Sequence, residues 1–341
     1  MRVLITGGCG FIGTAVSDIL LRRGAQILNL DKMTAASNPD RLKEWEGDRY
    51  RVMQGDVCDL NLVLNVFEEF QPDQVIHCAA EDSGEPGEGN AQLLQTNFIG
   101  TFTLLEAART WWAGRRGDHR FQLISSDEVY GRSDAVRPFA TEGTSFRPET
   151  PVAATRAAAC HLATAWAETY DLRIVTTVCS NSYGPWQMPE EFVPSAITNA
   201  AEGEPVPMRG SAEVVRNWAH VRDHAEAIRL IQEHGTTGET YNIGGHTGQS
   251  NANVVRLICG QLDEHLPETA PHARVIEPIH ERPAHVERRM MDSAKAWRDL
   301  RWCPETDLRQ GLSETVRWYL SNRDWWKAAR KRNALERMAA A

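Results

Sequence analysis

Met1-Arg-Val-Leu-Ile-Thr-Gly-Gly-Cys-Gly-Phe-Ile-Gly13 is the stretch that decides the fold. Its apolar run reads as a buried strand, and the glycines end it. Ala15, Val16, Ile19 and Leu20 then recur at helical spacing until Gly24. Gly7, Gly10 and Gly13 fall between strand and helix. There they allow a tight turn and a close backbone approach to a pyrophosphate, whose charge meets the helix N-terminus. Phe11 and Ile12 belong to the same turn. Asp31 ends a second apolar run, 18 residues past Gly13. A carboxylate there accepts ribose hydroxyls and repels a 2′-phosphate, so the expected cofactor is NAD rather than NADP. Asp56 and Val57, after a third run, are candidates to touch the adenine.

Outward from this turn, strand and helix signals alternate. Arg51–Gln54, Gln74–Cys78, Phe121–Ser125 and Arg173–Val178 read as strands. Leu60–Phe70, Ala91–Trp112 and Ala153–Tyr170 read as helices. This alternation predicts an α/β fold with a Rossmann-like, doubly wound parallel sheet. Beyond Gly184-Pro185 prolines cluster, and seven of the 11 tryptophans lie from Trp186 onward. That shift predicts a smaller mixed α/β C-terminal substrate region. The expected boundaries are 1–180 for the cofactor domain, with 218–247 returning to it. Residues 181–217 and 248–326 form the substrate region, and 327–341 a frayed tail. Leu312–Trp326 reads as one amphipathic helix.

A net charge of -9 argues against nucleic acid as a partner. The seven cysteines form no CxxC pair, so no metal site is expected and a reducing cytoplasm fits. No apolar run reaches 18 residues, so no membrane partner is expected either. There are five lysines against 32 arginines, and none lies between Lys43 and Lys295.

Further motifs narrow the picture. Ser125-Ser-Asp-Glu-Val-Tyr-Gly131, Cys179-Ser-Asn-Ser-Tyr-Gly-Pro185, Val215-Arg-Asn-Trp-Ala-His-Val-Arg-Asp-His224, Tyr241-Asn-Ile-Gly-Gly245 and Asp292-Ser-Ala-Lys295 stand in order along the chain. With the glycine turn, they resemble the extended short-chain dehydrogenase/reductase family that acts on nucleotide sugars. The closest resemblance is to the dTDP-glucose 4,6-dehydratases. It implies tightly bound NAD, oxidation of a sugar at C4, loss of water across C5–C6, and return of the hydride to C6. It also implies that Asp127 and Glu128 are the catalytic acid and base, and that Ser126 bonds the C4 oxygen. Ala79 and Ala80 fall on the cofactor side. Asn181, Arg216 and His285 match family residues near the nucleotide diphosphate. The family's two-helix dimer interface corresponds to Ala91–Trp112 and Ala153–Tyr170, which implies a homodimer.

The hydride step departs from the family. Its Tyr-x-x-x-Lys is Val152-x-x-x-Arg156 here. Valine has no proton to exchange, and arginine supplies charge with a different donor geometry. Arg156 keeps only the cofactor-side position of the lysine. None of the six tyrosines has a lysine four residues later. The family's Ala-Ala-Glu-Ser-His-Val-Asp becomes Ala79-Ala-Glu-Asp-Ser-Gly-Glu-Pro-Gly-Glu-Gly89, expected to be a mobile acidic loop. Glu191 replaces a lysine, His220 a tyrosine, and Asn217 and Val286 aspartates. Three readings follow. The first is an atypical NAD-dependent nucleotide-sugar dehydratase or epimerase. In it Tyr130, His220 or Glu128 takes the C4 proton, or the substrate arrives as a ketone. The second is a non-catalytic homologue that binds NAD and a nucleotide sugar and acts through a partner. The third is an oxidoreductase for a different substrate.

Overall fold

The computed structural model describes residues 1–82, 90–134, 136–207, 212–246, 248–277 and 288–340. Six strands in its first half are β1 (Arg2–Thr6), β2 (Gln26–Asp31), β3 (Tyr50–Gln54), β4 (Gln74–His77), β5 (Arg120–Ser126) and β6 (Ile174–Cys179). They are followed by β7 (Asn181–Tyr183), β8 (Val206–Pro207), β9 (Val215–His220), β10 (Thr240–Ile243), β11 (Gly248–Ser250), β12 (Ile276–Glu277) and β13 (Arg288–Arg289). The main sheet runs β10-β6-β5-β4-β1-β2-β3, and all of its pairs are parallel. The strand order reverses beside β1, which in such sheets opens a crevice at the carboxyl ends of the strands.

Helices cover both faces. On one face α1 (Phe11–Arg22) packs against α7 (Val221–His234), burying Val16, Leu20, Ile228 and Ile231. On the other lie α2 (Leu60–Phe70), α4 (Thr101–Trp112) and α5 (Pro151–Tyr170), burying Phe67, Leu104, Leu105 and Ala163. Each large apolar side chain in these layers contributes roughly 1.5–3 kcal/mol by leaving water. The short helix α3 (Asn90–Leu93) continues into α4 through a π-helical stretch at Leu94–Gly100. The single helix expected at Ala91–Trp112 is therefore broken in pitch. Its widened turns hold Asn97, which is buried and bonded on both sides of its amide.

The smaller region joins β7, β11 and β13 to β9 and pairs β12 with β8. Its core gathers Tyr183, Ile197, Trp218, Ile258, Leu312 and Trp326. They come from these strands and from α6 (Phe192–Glu202), α8 (Asn251–His265), α10 (Leu308–Ser321) and α11 (Arg323–Ala340). The seven-residue α9 (Ala294–Leu300) precedes α10, and α11 follows it. The expectation of one helix to Trp326 and a frayed tail from Lys327 is corrected here. The break falls at Asn322, and α11 stays helical to Ala340. Ala329 and Asn333 are buried, and Lys327 pairs with Glu202 at 2.8 Å, so the basic end has tertiary partners.

All seven cysteines are free, and Cys303 is exposed. Burial pushes the Cys9, Cys58 and Cys78 thiols up to about 12, so all three are poor nucleophiles at neutral pH. Among the described residues no helix is long and apolar enough to cross a membrane, and no cluster is placed to hold a metal ion.

Candidate active site

The glycine turn forms one wall of a cleft of about 820 Å³. Gly7 takes φ +64, and a Cβ there would sit 2.6 Å from the Ala79 backbone. A Cβ on Gly13 would sit 2.4 Å from the Gly7 carbonyl oxygen. Both positions exclude any side chain, so the turn packs flat against the sheet. Gly10 precedes α1 as an N-cap that supplies no side-chain acceptor. The first N–H groups of α1 thus face the cleft without a side-chain cap, which suits an anion such as a diphosphate.

Gly7, Gly10, Phe11, Ile12, Gly13, Ala80 and Arg156 all line this cleft. Asp31, Asp56, Val57 and Ala79 are not on its wall. The Asp31 carboxylate is buried and accepts from Cys9 N–H at 2.9 Å, Met33 N–H at 2.8 Å and Ser37 Oγ at 2.8 Å. It therefore shapes the ends of β1 and β2, with acceptor capacity left for one further donor. Asp56 pairs with Lys32 at 3.1 Å, and Val57 packs under Gly100.

Ser126, Asp127 and Glu128 enter the cleft where β5 ends and a 3₁₀ turn begins. Ser126 caps that turn, its Oγ accepting from Glu128 N–H at 3.3 Å. Asp127 is buried, and its Oδ2 has no hydrogen-bond partner. Burial raises its pKa to about 6, against the pull of the Arg216 and Arg289 guanidiniums. Glu128 lies beside it with Oε1 2.5 Å from Arg289 Nη1. Two neighbouring carboxyls thus stand in opposed settings, one desolvated and one ion-paired. That is how an acid and a base are told apart within a single site. Arg289 comes from β13, 161 residues away, and no local pattern in the sequence announces it.

Arg216 and Asn181 also line the cleft, joined by a 3.2 Å hydrogen bond between Arg216 Nη1 and Asn181 Oδ1. His285 and Val286 lie outside the described residues, as does most of the expected acidic loop. Glu191 lines the cleft at the N-terminus of α6. Val152 does so at the start of α5, where Thr150 caps the helix by accepting from Ala153 N–H.

Two of the three groups considered as substitutes for the tyrosine are elsewhere. The Tyr130 phenol donates to Asn242 Oδ1 at 2.8 Å inside the core. His220 caps α7, its Nδ1 accepting from Arg222 N–H, and burial with nearby Arg222 pushes its pKa down to about 4. Neither lines the cleft; Glu128 does. Asp82, which no sequence motif singles out as a site residue, also lines the cleft and accepts from Arg156 Nη2 at 2.8 Å.

The sequence that builds this glycine-turned cleft, its two unlike carboxyls and its arginine–asparagine pair matches a family profile. Described as GDP-mannose 4,6 dehydratase, it covers residues 4–315. The chain belongs to this family. It is 39% identical over 340 residues to dTDP-glucose 4,6-dehydratase of Salmonella typhimurium, covering 95% of this chain and 94% of that protein. It is 41% identical over 337 residues to the enzyme of the same name from Neisseria meningitidis, covering 96% and 95%. Among solved structures, dTDP-glucose 4,6-dehydratase from Streptomyces venezuelae, solved with NAD bound, superposes with a TM-score of 0.87. It is 33% identical and covers 96% of this chain and 100% of that one. UDP-glucose 4-epimerase from Thermus thermophilus, in complex with NAD, gives 0.81 at 27% identity, covering 94% and 100%. The architecture is thus shared by solved dehydratases and epimerases.

Proposed function

We propose that the cleft binds NAD and a nucleotide sugar and carries out 4,6-dehydratase-type acid–base chemistry. The observation that carries this reading is the Asp127/Glu128 pair, one carboxyl buried and one held by Arg289, in the cleft bounded by the glycine turn. The turn fits a dinucleotide, since Gly7 and Gly13 leave no room for a Cβ and α1 offers open N–H groups. Gly7, Gly10–Gly13 and Ala80 would hold its diphosphate side, and Arg156 would face its reactive ring. When bound, NAD supplies the acceptance and return of hydride.

The protein's own groups do the rest. Arg216 and Asn181 hold the diphosphate of the substrate, Arg216 in two-pronged fashion. Ser126 donates to the C4 oxygen. Once C4 is a ketone, the C5–H bond is acidified and Glu128 removes the proton. The electron pair moves into the C4–C5 enolate and then expels the C6 hydroxyl. Asp127, its pKa raised by burial to about 6, donates in its protonated form to that hydroxyl, which departs as water.

Val152 favours a second reading, in which the sugar arrives already oxidised at C4. The pair then works without any C4 oxidation. One experiment addresses both. The NAD-loaded protein is incubated in D₂O with dTDP-glucose, with a panel of other nucleotide sugars, and with a 4-keto nucleotide sugar. A 4-keto-6-deoxy product from the first two supports dehydration. Deuterium entry at C5 of the keto sugar alone supports the second reading. NAD bound with neither product nor exchange overturns both in favour of a binding homologue, and net NADH release points to a different oxidoreduction.

A homodimer through α4 and α5 is part of this reading. Phe102 and Tyr170 support it, being 40% and 46% exposed on those helices. Light scattering checks it, with twice 38.2 kDa expected. A reducing cytoplasmic setting fits the free cysteines.

A further inference from the structure

Among the described residues, those lining the cleft include no tyrosine, histidine or lysine. The proton acceptors there are Cys78, Cys179, Asp82, Asp127, Glu128 and Glu191. Burial raises both thiols far above neutrality. Asp127 and Glu128 serve the elimination, and Glu191 sits at the N-terminus of α6 in the smaller region. Asp82 remains, on the same wall as Val152.

The placement of Asp82 is built. Asn97, 3% exposed, bonds both sides of the preceding residue. Its Oδ1 accepts from Glu81 N–H at 2.8 Å, and its Nδ2 donates to the Glu81 carbonyl at 3.1 Å. The same Nδ2 reaches Thr155 Oγ1 at 3.0 Å, one residue before Arg156. One buried amide thus brings the end of the β4 loop to α5 and sets Asp82 2.8 Å from Arg156 Nη2. Arg156 is 16% exposed and Asp82 73% exposed. The guanidinium is mostly buried, and the carboxylate is open to both the cleft and water.

We propose that Asp82, held by Arg156, is the base that accepts the proton of the sugar 4-hydroxyl, the work given to a tyrosine in the family that the sequence resembles. This rests on the nucleotide-sugar reading above and chooses C4 oxidation on the protein over a substrate that arrives as a ketone. The step balances. The O–H bond breaks and its proton goes to an Asp82 oxygen. The C4–H bond breaks with its electron pair leaving as hydride to the nicotinamide, and C4=O forms. The family reaction returns hydride at C6, so C4 has no further need of the Asp82 proton, and an exposed carboxylate can pass it to water. Arg156 is then a positioning residue for Asp82 as well as a neighbour of the cofactor.

The test uses the full-length, NAD-loaded protein and the variants Asp82→Ala and Asp82→Asn. NAD content and thermal melting confirm that each is folded. Calorimetry compares dTDP-glucose with its 4-deoxy analogue. A charged hydrogen bond to the 4-hydroxyl makes the wild type prefer the parent sugar by about tenfold or more. Both variants lose that preference while binding the 4-deoxy analogue as before. The rate of absorbance change at 340 nm in a single turnover falls at least about 100-fold in both variants, and added formate restores part of it in Asp82→Ala. Retained preference and retained rate in the variants overturn the proposal. So does a wild type that exchanges C5 of a 4-keto sugar yet never reduces its nicotinamide with dTDP-glucose, an outcome that leaves the acid–base reading standing. Absence of C5 exchange as well removes that reading.

Discussion

At the glycine end of the cleft the backbone sets every position, whereas at the reaction end side chains from distant segments do. Gly7 and Gly13 are fixed by what a single Cβ would strike, the Ala79 backbone just past β4 and the Gly7 carbonyl oxygen. The reaction end is assembled from Asp82 after β4, Asp127 and Glu128 after β5, Val152 and Arg156 on α5, Arg216 on β9, and Arg289 on β13. A backbone site tolerates only glycine at its tight positions, but it keeps its ligand chemistry. A side-chain site can exchange one proton acceptor for another without moving a strand. The first end is therefore conservative in function and the second is open to revision.

Substitutions at four positions break or sharpen that contrast. The largest effect is expected from Glu128→Gln, which removes the proposed base and is nearly isosteric. C5 exchange in D₂O, followed by NMR, should fall by about 10²–10⁴-fold, with NAD retention unchanged. Gly13→Val should do the reverse. Its side chain meets the Gly7 carbonyl oxygen, so NAD affinity measured by calorimetry should weaken by about 100-fold or more, or the chain should fail to fold. Arg289→Met should lower the exchange rate by about tenfold through a loosened Glu128, with Arg289→Lys recovering part of it. An unchanged rate in Arg289→Met would show that the ion pair only joins the two sheets.

The smallest effect concerns stability. The pKa of Asp127 is raised from 3.8 to about 6 in the folded protein. Its protonated form therefore contributes stability that is fully present below about pH 3.8 and is lost as pH rises through about 6. The isostere Asp127→Asn escapes that loss. It should gain up to roughly 3 kcal/mol over the wild type at about pH 8, a rise of a few degrees in melting temperature, and nothing at about pH 4. An equal gain at both pH values would sink the idea that Asp127 is a desolvated acid.

Local signals carry the fold. The glycine turn, the strand–helix alternation and the Ser-Ser-Asp-Glu motif are contiguous, so period and spacing reveal them. The loss of the tyrosine at Val152 is equally plain. The partners that give these residues their chemistry are not. Arg289 meets Glu128 across 161 residues and Asp82 meets Arg156 across 74, and no periodicity encodes such pairs. Asp31 shows the opposite failure. Its position at the end of β2 is legible, yet folding commits its oxygens to three internal donors that the sequence does not disclose. The helical end beyond Lys327 is hidden because its support comes from Glu202 and a buried Asn333, not from its own basic composition.

Cys303 offers a practical handle on all of this. It is the exposed thiol, and it opens onto a second cavity shared by Trp297, Trp302 and the Gly244-Gly245 turn after β10. A maleimide dye placed there would sit beside two indole quenchers, at the seam between the end of the main sheet and Met291 just past β13. Its brightness would then follow ligand-driven shifts of that seam in real time, with no residue engineered and no absorbance from the cofactor needed.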